Sequence, residues 1–83
     1  MYLSLSQNTV IRDTDIVGIF DLDITSQSYR TRAFLRAAEE AGEVESATDD
    51  LPKSFVVCRG RENAQRVILA QPNSATLARR LGR

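Results

Sequence analysis

Three groups of residues in this chain are of types that can do chemistry. Asp13, Asp15, Asp21 and Asp23 bracket an apolar run at residues 16–20. Cys58 sits inside a second apolar run. Lys53, Arg59, Arg61, Arg66, Arg79, Arg80 and Arg83 crowd residues 51–83, beside a single acid, Glu62. Carboxylates are the natural ligands of Mg²⁺ or Ca²⁺. Here, however, the two aspartate pairs stand at opposite ends of an extended run, roughly 17–20 Å apart, so no metal site is expected. Cys58 has no histidine to activate it, because the chain contains none. It reads as a small buried hydrophobe, not as a nucleophile or a zinc ligand. No arrangement supports general acid–base or covalent catalysis. The expectation is a protein that is not an enzyme, with no cofactor, no metal and no small-molecule substrate.

That leaves the bases, and their chemistry is contact with phosphate. Formal net charge is zero and the pI is about 6.2, which argues against generic nucleic-acid binding. The distribution of charge says more. Residues 1–50 carry ten acids against four bases, and residues 51–83 carry seven bases against one acid. Such a split makes a basic face for an anionic partner, or lets opposite faces of neighbouring subunits attract. The ordinary alternative is that folding interleaves the two halves and leaves solvated charge, with Arg79 and Arg80 serving a helix end.

The bases need a scaffold, and 83 residues make one domain, residues 1–83. A chain this short buries only roughly 60–65% of its unfolded surface. Small domains of this kind lean on disulfides, a metal or a partner subunit. One cysteine makes no internal disulfide, so a homo-oligomer is expected. The first residues, MYLSLSQ, lack the basic region and long apolar run of a signal peptide. No apolar run approaches the roughly 20 residues needed to span a bilayer. A cytoplasmic protein without membrane contact is the expectation, and a single unpaired thiol suits a reducing compartment.

Hydrophobic periodicity supplies the elements. Tyr2–Ser6 alternates strictly, with Leu3 and Leu5 on one side, as a half-exposed strand near an edge. A turn at Gln7-Asn8 precedes extended structure over Thr9–Ile11. Ile16–Phe20 is apolar on both faces, with Ile16, Gly18 and Phe20 on one and Val17 and Ile19 on the other, so neither face is left for water. Gly18 allows close approach of another group. Residues 21–26 lead into a helix capped by Ser28 or Thr31, with Phe34, Leu35, Ala38 and Ala41 as its apolar stripe and Gly42 as its stop. Val44–Ala47 forms a short strand. Phe55–Cys58 and Val67–Ala70 are apolar on both faces and flank a loop holding Gly60 and Asn63, the pattern of an antiparallel hairpin. Asn73 or Ser74 caps a last helix with Ala75, Leu77, Ala78 and Leu81 inward. The fold class is α+β: a small, mainly antiparallel sheet with one longer helix and a short C-terminal helix, in an oligomer. Three strands apolar on both sides outnumber the helices available to cover them. One sheet face is therefore expected to be incompletely covered until a neighbouring subunit packs on it.

Several stretches resemble a family of small bacterial proteins. They are Met1-Tyr2-Leu3, the run from Asp15 to Asp23, Thr31-Arg32-Ala33-Phe34-Leu35, the run from Asp49 to Val57, and Ser74-Ala75-Thr76-Leu77. Together they run nearly end to end and resemble the extracellular matrix regulator family, RemA/RemB, closest to its RemB branch. The most specific pairing is Asp50-Leu51-Pro52-Lys53-Ser54-Phe55-Val56 with Ser74-Ala75-Thr76-Leu77 about twenty residues later. The resemblance implies a small α+β fold assembled into a ring-shaped homo-oligomer. It also implies the role of the RemA branch, a DNA-binding transcription regulator of biofilm matrix genes whose ring presents basic loops to DNA. The chain departs from that branch at two places. An arginine-rich turn is replaced by Asp50-Leu51-Pro52-Lys53, and an arginine before the central strand is replaced by Asp15. Of the phosphate-contacting bases, the resemblance therefore carries over only Lys53. Arg59, Arg61, Arg66, Arg79 and Arg80 enter from charge clustering alone.

Two functions follow. The first is a RemB-like regulator whose oligomer binds double-stranded DNA through phosphates, with Lys53, Arg59, Arg61, Arg66, Arg79 and Arg80 as contacts. The second is an oligomeric protein-interaction scaffold that binds no nucleic acid, which zero net charge and the missing arginine turn favour. Placement of the bases separates the two: one acid-free surface suits DNA, and interleaved acids suit the scaffold.

Overall fold

The computed structural model describes residues 1–22 and 28–81, so Asp23, residues 24–26 of the helix lead-in, and Arg83 lie outside it. The alternating Tyr2–Ser6 run forms strand β1 and pairs antiparallel with β2 (Thr9–Arg12), placing Leu3 opposite Ile11. Leu3, Leu5 and Ile11 are buried while Tyr2, Ser4 and Val10 are exposed. This two-stranded hairpin is a lid with one apolar face. A second sheet has four strands in the order β3 (Ile16–Asp21), β5 (Ser54–Arg59), β6 (Gln65–Ala70) and β4 (Val44–Ser46). Helix α1 (Tyr29–Glu40) lies between β3 and β4 in the chain, and α2 (Ser74–Arg80) follows β6.

The sheet is mixed. β5–β6 is the expected antiparallel hairpin and β3–β5 is antiparallel too, but β4 runs parallel to β6. The cause lies in α1, which carries the chain across the sheet to its far edge. There Val67 donates to the Glu43 carbonyl (2.9 Å) and Ala47 to the Leu69 carbonyl (2.8 Å). A chain that crosses over in this way can return parallel to the strand it meets.

β5 and β6 occupy the centre, which is why both are apolar on both faces. On one face Val56, Cys58, Ile68 and Ala70 pack with Leu3, Leu5 and Ile11 of the hairpin and Leu77 of α2. On the other, Phe55, Val57 and Val67 pack with Ala38 of α1, with Phe34 and Leu35 half-buried beside them. Ala41, expected in the helix stripe, is instead the exposed C-cap of α1.

β3 differs from its sequence pattern. A bulge lies between Ile16 and Gly18, where Ile16 pairs with Cys58 and Gly18 with Val57. The extra residue is Val17, so strict alternation breaks. Ile16 and Ile19 therefore pack together under the hairpin, not on opposite faces. Val17 and Phe20 turn to the α1 side. Nor is β3 closed to water on both faces: it is an edge strand, with Val17 67% and Phe20 48% exposed. The close approach expected at Gly18 is made by Phe20, whose ring carbons would lie 2.7 Å from any Cβ at that position. The Phe20 ring in turn stacks on Phe55, with centroids 5.1 Å apart.

The ends of the elements follow local chemistry. Ser28 caps α1 by accepting from the Thr31 amide (3.1 Å), and Gly42 takes the left-handed conformation (φ 74°) just past its end. Asn73 caps α2 through the Thr76 amide (2.9 Å), and the Asp21 carboxylate accepts from the Ser74 amide (3.0 Å). In the β5–β6 turn the left-handed residues are Glu62 and Asn63, with φ of 57° and 61°. Gly60 keeps a negative φ of −102°, and the stem of Arg66 lies where its side chain would be.

Candidate nucleic-acid interface

β5 decides where the bases go. It carries Lys53 just before its first residue and Arg59 as its last, with Arg61 in the turn beyond. Six extended residues span roughly 20 Å, so Lys53 and the Arg59–Arg61 pair stand at opposite ends of the sheet. Lys53 is exposed, while its backbone is held between two strands: its amide donates to Ala70 (2.9 Å) and its carbonyl accepts from Leu22 (2.9 Å). Arg59 donates to the Thr14 carbonyl (3.3 Å), which ties it to the loop before β3. Arg61 is exposed beside Glu62.

Arg66 is engaged inside the protein. It points from β6 toward β4 and makes a two-point contact with the Glu45 carboxylate, including Nε to Oε2 at 3.4 Å. Donating to the Glu45 carboxylate raises the guanidinium's pKa further. Both side chains are open to water, so the pair stabilises the fold by at most about 1 kcal/mol. It still cancels one positive charge. On α2, Arg79 donates to Thr76 Oγ1 (3.2 Å) and Arg80 to the Ser4 carbonyl on β1 (3.0 Å). Arg80 faces a cleft that it shares with Asp50, Gln71 and Pro72.

Among the described residues the ion pairs are Arg66–Glu45 and the Met1 amino group with Asp13 (3.6 Å). Lys53, Arg59, Arg61, Arg79 and Arg80 thus have no bonded carboxylate among the described residues. The fold brings Arg59 and Arg61 together at the turn and separates them from Lys53. The sequence halves are partly interleaved as well, since Glu45 meets Arg66 and Asp50 faces Arg80's cleft.

Two of the aspartates have structural partners. Asp13 binds the chain's amino terminus, and Asp21 caps α2 at the far end of β3. Among the described residues, no group of three or more His, Cys, Asp or Glu side chains is arranged to hold a metal ion. Cys58 is 1% exposed, and burial pushes its thiol pKa up. Among the described residues, no helix is long and apolar enough to cross a membrane.

One feature was not legible residue by residue. Between α1 and the β3 edge runs an open apolar groove of about 380 Å³, lined by Val17, Phe20, Phe34, Phe55 and Val57, with Arg30 at its rim. The shortage of helices relative to apolar strand faces was its signal in the sequence. Its position depended on the bulge, which puts Val17 on the same side as Phe20. Neither protein-family models nor curated protein sequences yield a match to this chain.

Proposed function

We propose that this chain is a RemB-like cytoplasmic regulator that self-associates and, as an oligomer, binds double-stranded DNA through its phosphates. The observation that carries this reading is the set of five bases, Lys53, Arg59, Arg61, Arg79 and Arg80, left without carboxylate partners among the described residues. One subunit offers two or three such contacts per surface, which is weak. Repetition around an oligomer multiplies them, because each neutralised phosphate releases counterions. Backbone contact of this kind positions a protein on DNA without reading bases. The end-to-end resemblance to the RemA/RemB family supports transcription regulation of biofilm and extracellular matrix genes as the setting. The test is fluorescence anisotropy of a labelled duplex at about 50 and about 200 mM salt. Binding that weakens by orders of magnitude with salt is expected, with Arg61→Ala and Arg59→Ala lowering the salt slope.

A second reading is favoured by one specific observation. Lys53 lies at the opposite end of β5 from Arg59 and Arg61, and Glu45 occupies Arg66. An oligomeric scaffold that contacts proteins and no nucleic acid accounts for that dispersal. Absence of duplex binding at the lower salt by an oligomer would establish this reading over the first.

A further inference from the structure

We infer that the Asp49–Pro52 loop of one copy docks into the groove between β3 and α1 of a second copy, with Leu51 entering beside Val17 and Phe20 and the two acids meeting Arg30. This inference rests on the self-association proposed above and specifies its contact.

The two halves of the contact are both on the surface of one chain. Leu51 is 84% exposed, the largest value for any large apolar residue among those described, and it belongs to neither core cluster. The groove is the complementary feature: concave, apolar and large enough for an aliphatic side chain, with exposed Val17 and Phe20 along one wall. Its own chain does not fill it with this loop, since no residue of 49–52 lines it. Exposed apolar side chains with a polar rim mark interaction surfaces.

Charge selects the partner. Among the described residues the groove is lined by one base, Arg30, and no acid, whereas Arg32 and Arg36 lie on another face of α1 beside Glu40. Asp49 and Asp50 precede Leu51 directly, are exposed, and form no ion pair among the described residues. An acid-flanked leucine therefore meets a base-flanked apolar groove. Pro52 restricts the loop's backbone and lowers the entropy lost on docking. The obvious alternative, two β3 edges pairing antiparallel about Gly18, would set Asp15 of one copy against Asp21 of the other. Like charges directly opposite destabilise such a pairing. Made once per pair of copies, a loop-to-groove contact is heterologous and propagates into a closed ring or an open filament; exchanged reciprocally, it closes a two-fold dimer.

The test is sedimentation of the full chain with Leu51→Ser and with Val17→Asp, both at exposed positions, with circular dichroism to confirm the fold. Each variant alone is expected to be folded and to self-associate about ten- to a hundredfold more weakly, from loss of one buried aliphatic contact. An equimolar mixture of the two is expected to form a dimer and nothing larger. One chain retains the groove and the other retains the loop, so a single productive contact remains. Arg30→Asp is expected to weaken assembly, and Asp49→Arg with Asp50→Arg to restore it. If the unaltered chain assembles and Leu51→Ser assembles equally well, the docking inference is overturned while self-association stands. If the mixture stays monomeric, the loop-to-groove pairing is overturned. If the unaltered chain is itself monomeric, the self-association reading fails first, and this inference with it.

Discussion

Replacing Gly18 with alanine isolates one physical effect on this fold. The new Cβ would sit 2.7 Å from two ring carbons of Phe20. Carbon atoms rest at about 3.5–4.0 Å, so the ring must retreat by about 1 Å. Phe20 is 48% exposed, so it can swing toward solvent without backbone movement. The swing disturbs its stacking on Phe55, whose centroid is 5.1 Å away. Such a pair contributes about 0.5–1.5 kcal/mol beyond area burial, and an off-rotamer ring costs about 0.5–1.5 kcal/mol. Opposing these losses, alanine stiffens the unfolded chain and stabilises by about 0.4–1 kcal/mol. A net destabilisation of about 1 kcal/mol is expected, a fall in Tm of about 4–8 °C for a domain of this size. The assay is urea denaturation at fixed subunit concentration, because oligomerisation couples stability to concentration. The same substitution is then made in a Phe20→Ala background. With the ring gone, Gly18→Ala is expected to be neutral or stabilising by about 0.4–1 kcal/mol. Equal destabilisation in both backgrounds would refute the claim that the ring is what makes position 18 a glycine site.

Gly42 offers the opposite case. Its φ is 74° and, among the described residues, no atom beyond its chain neighbours lies within 4 Å of where a Cβ would stand, so Gly42→Ala is expected to cost about 1–2 kcal/mol from backbone conformation alone, read as a shift in urea midpoint. Cys58 is expected to resist thiol reagents in the native protein and to react fully once unfolded, in a stopped labelling experiment with and without denaturant. Its pH consequence has a definite sign. Burial raises the folded thiol's pKa, so above about pH 8.5 the unfolded chain gives up this proton first. Cys58's contribution to stability is thus present below that pH and lost as pH rises, and Cys58→Ala is expected to flatten the alkaline decline in urea midpoint.

The residues themselves determined most of the local structure. Leu3 and Leu5 alternate with polar neighbours and are buried on the hairpin's inner face. Ser28, Gly42 and Asn73 end helices because short polar side chains and a Cβ-free residue satisfy backbone geometry locally. β5 and β6 were legible as central strands because burial on both faces demands apolar residues at every position. The α+β class, with its longer and shorter helix, follows from these local signals.

Tertiary structure decided what depends on neighbours. The parallel pairing of β4 reflects where α1 delivers the chain, which three residues of strand cannot encode. The bulge at Val17 inverts the faces of Ile16 and Val17 relative to strict alternation, since register is set by the partner strand β5. The same bulge exposes Val17 and creates the groove. For the bases, sequence supplied their number and clustering. Their separation came from β5 itself, whose extended length holds Lys53 and Arg61 at opposite ends. The cancellation of Arg66 came from β4 and β6 lying side by side, which puts Glu45 within bonding distance of a residue 21 positions away. Charge pattern along a chain is a one-dimensional quantity, whereas a binding surface depends on which strands become neighbours.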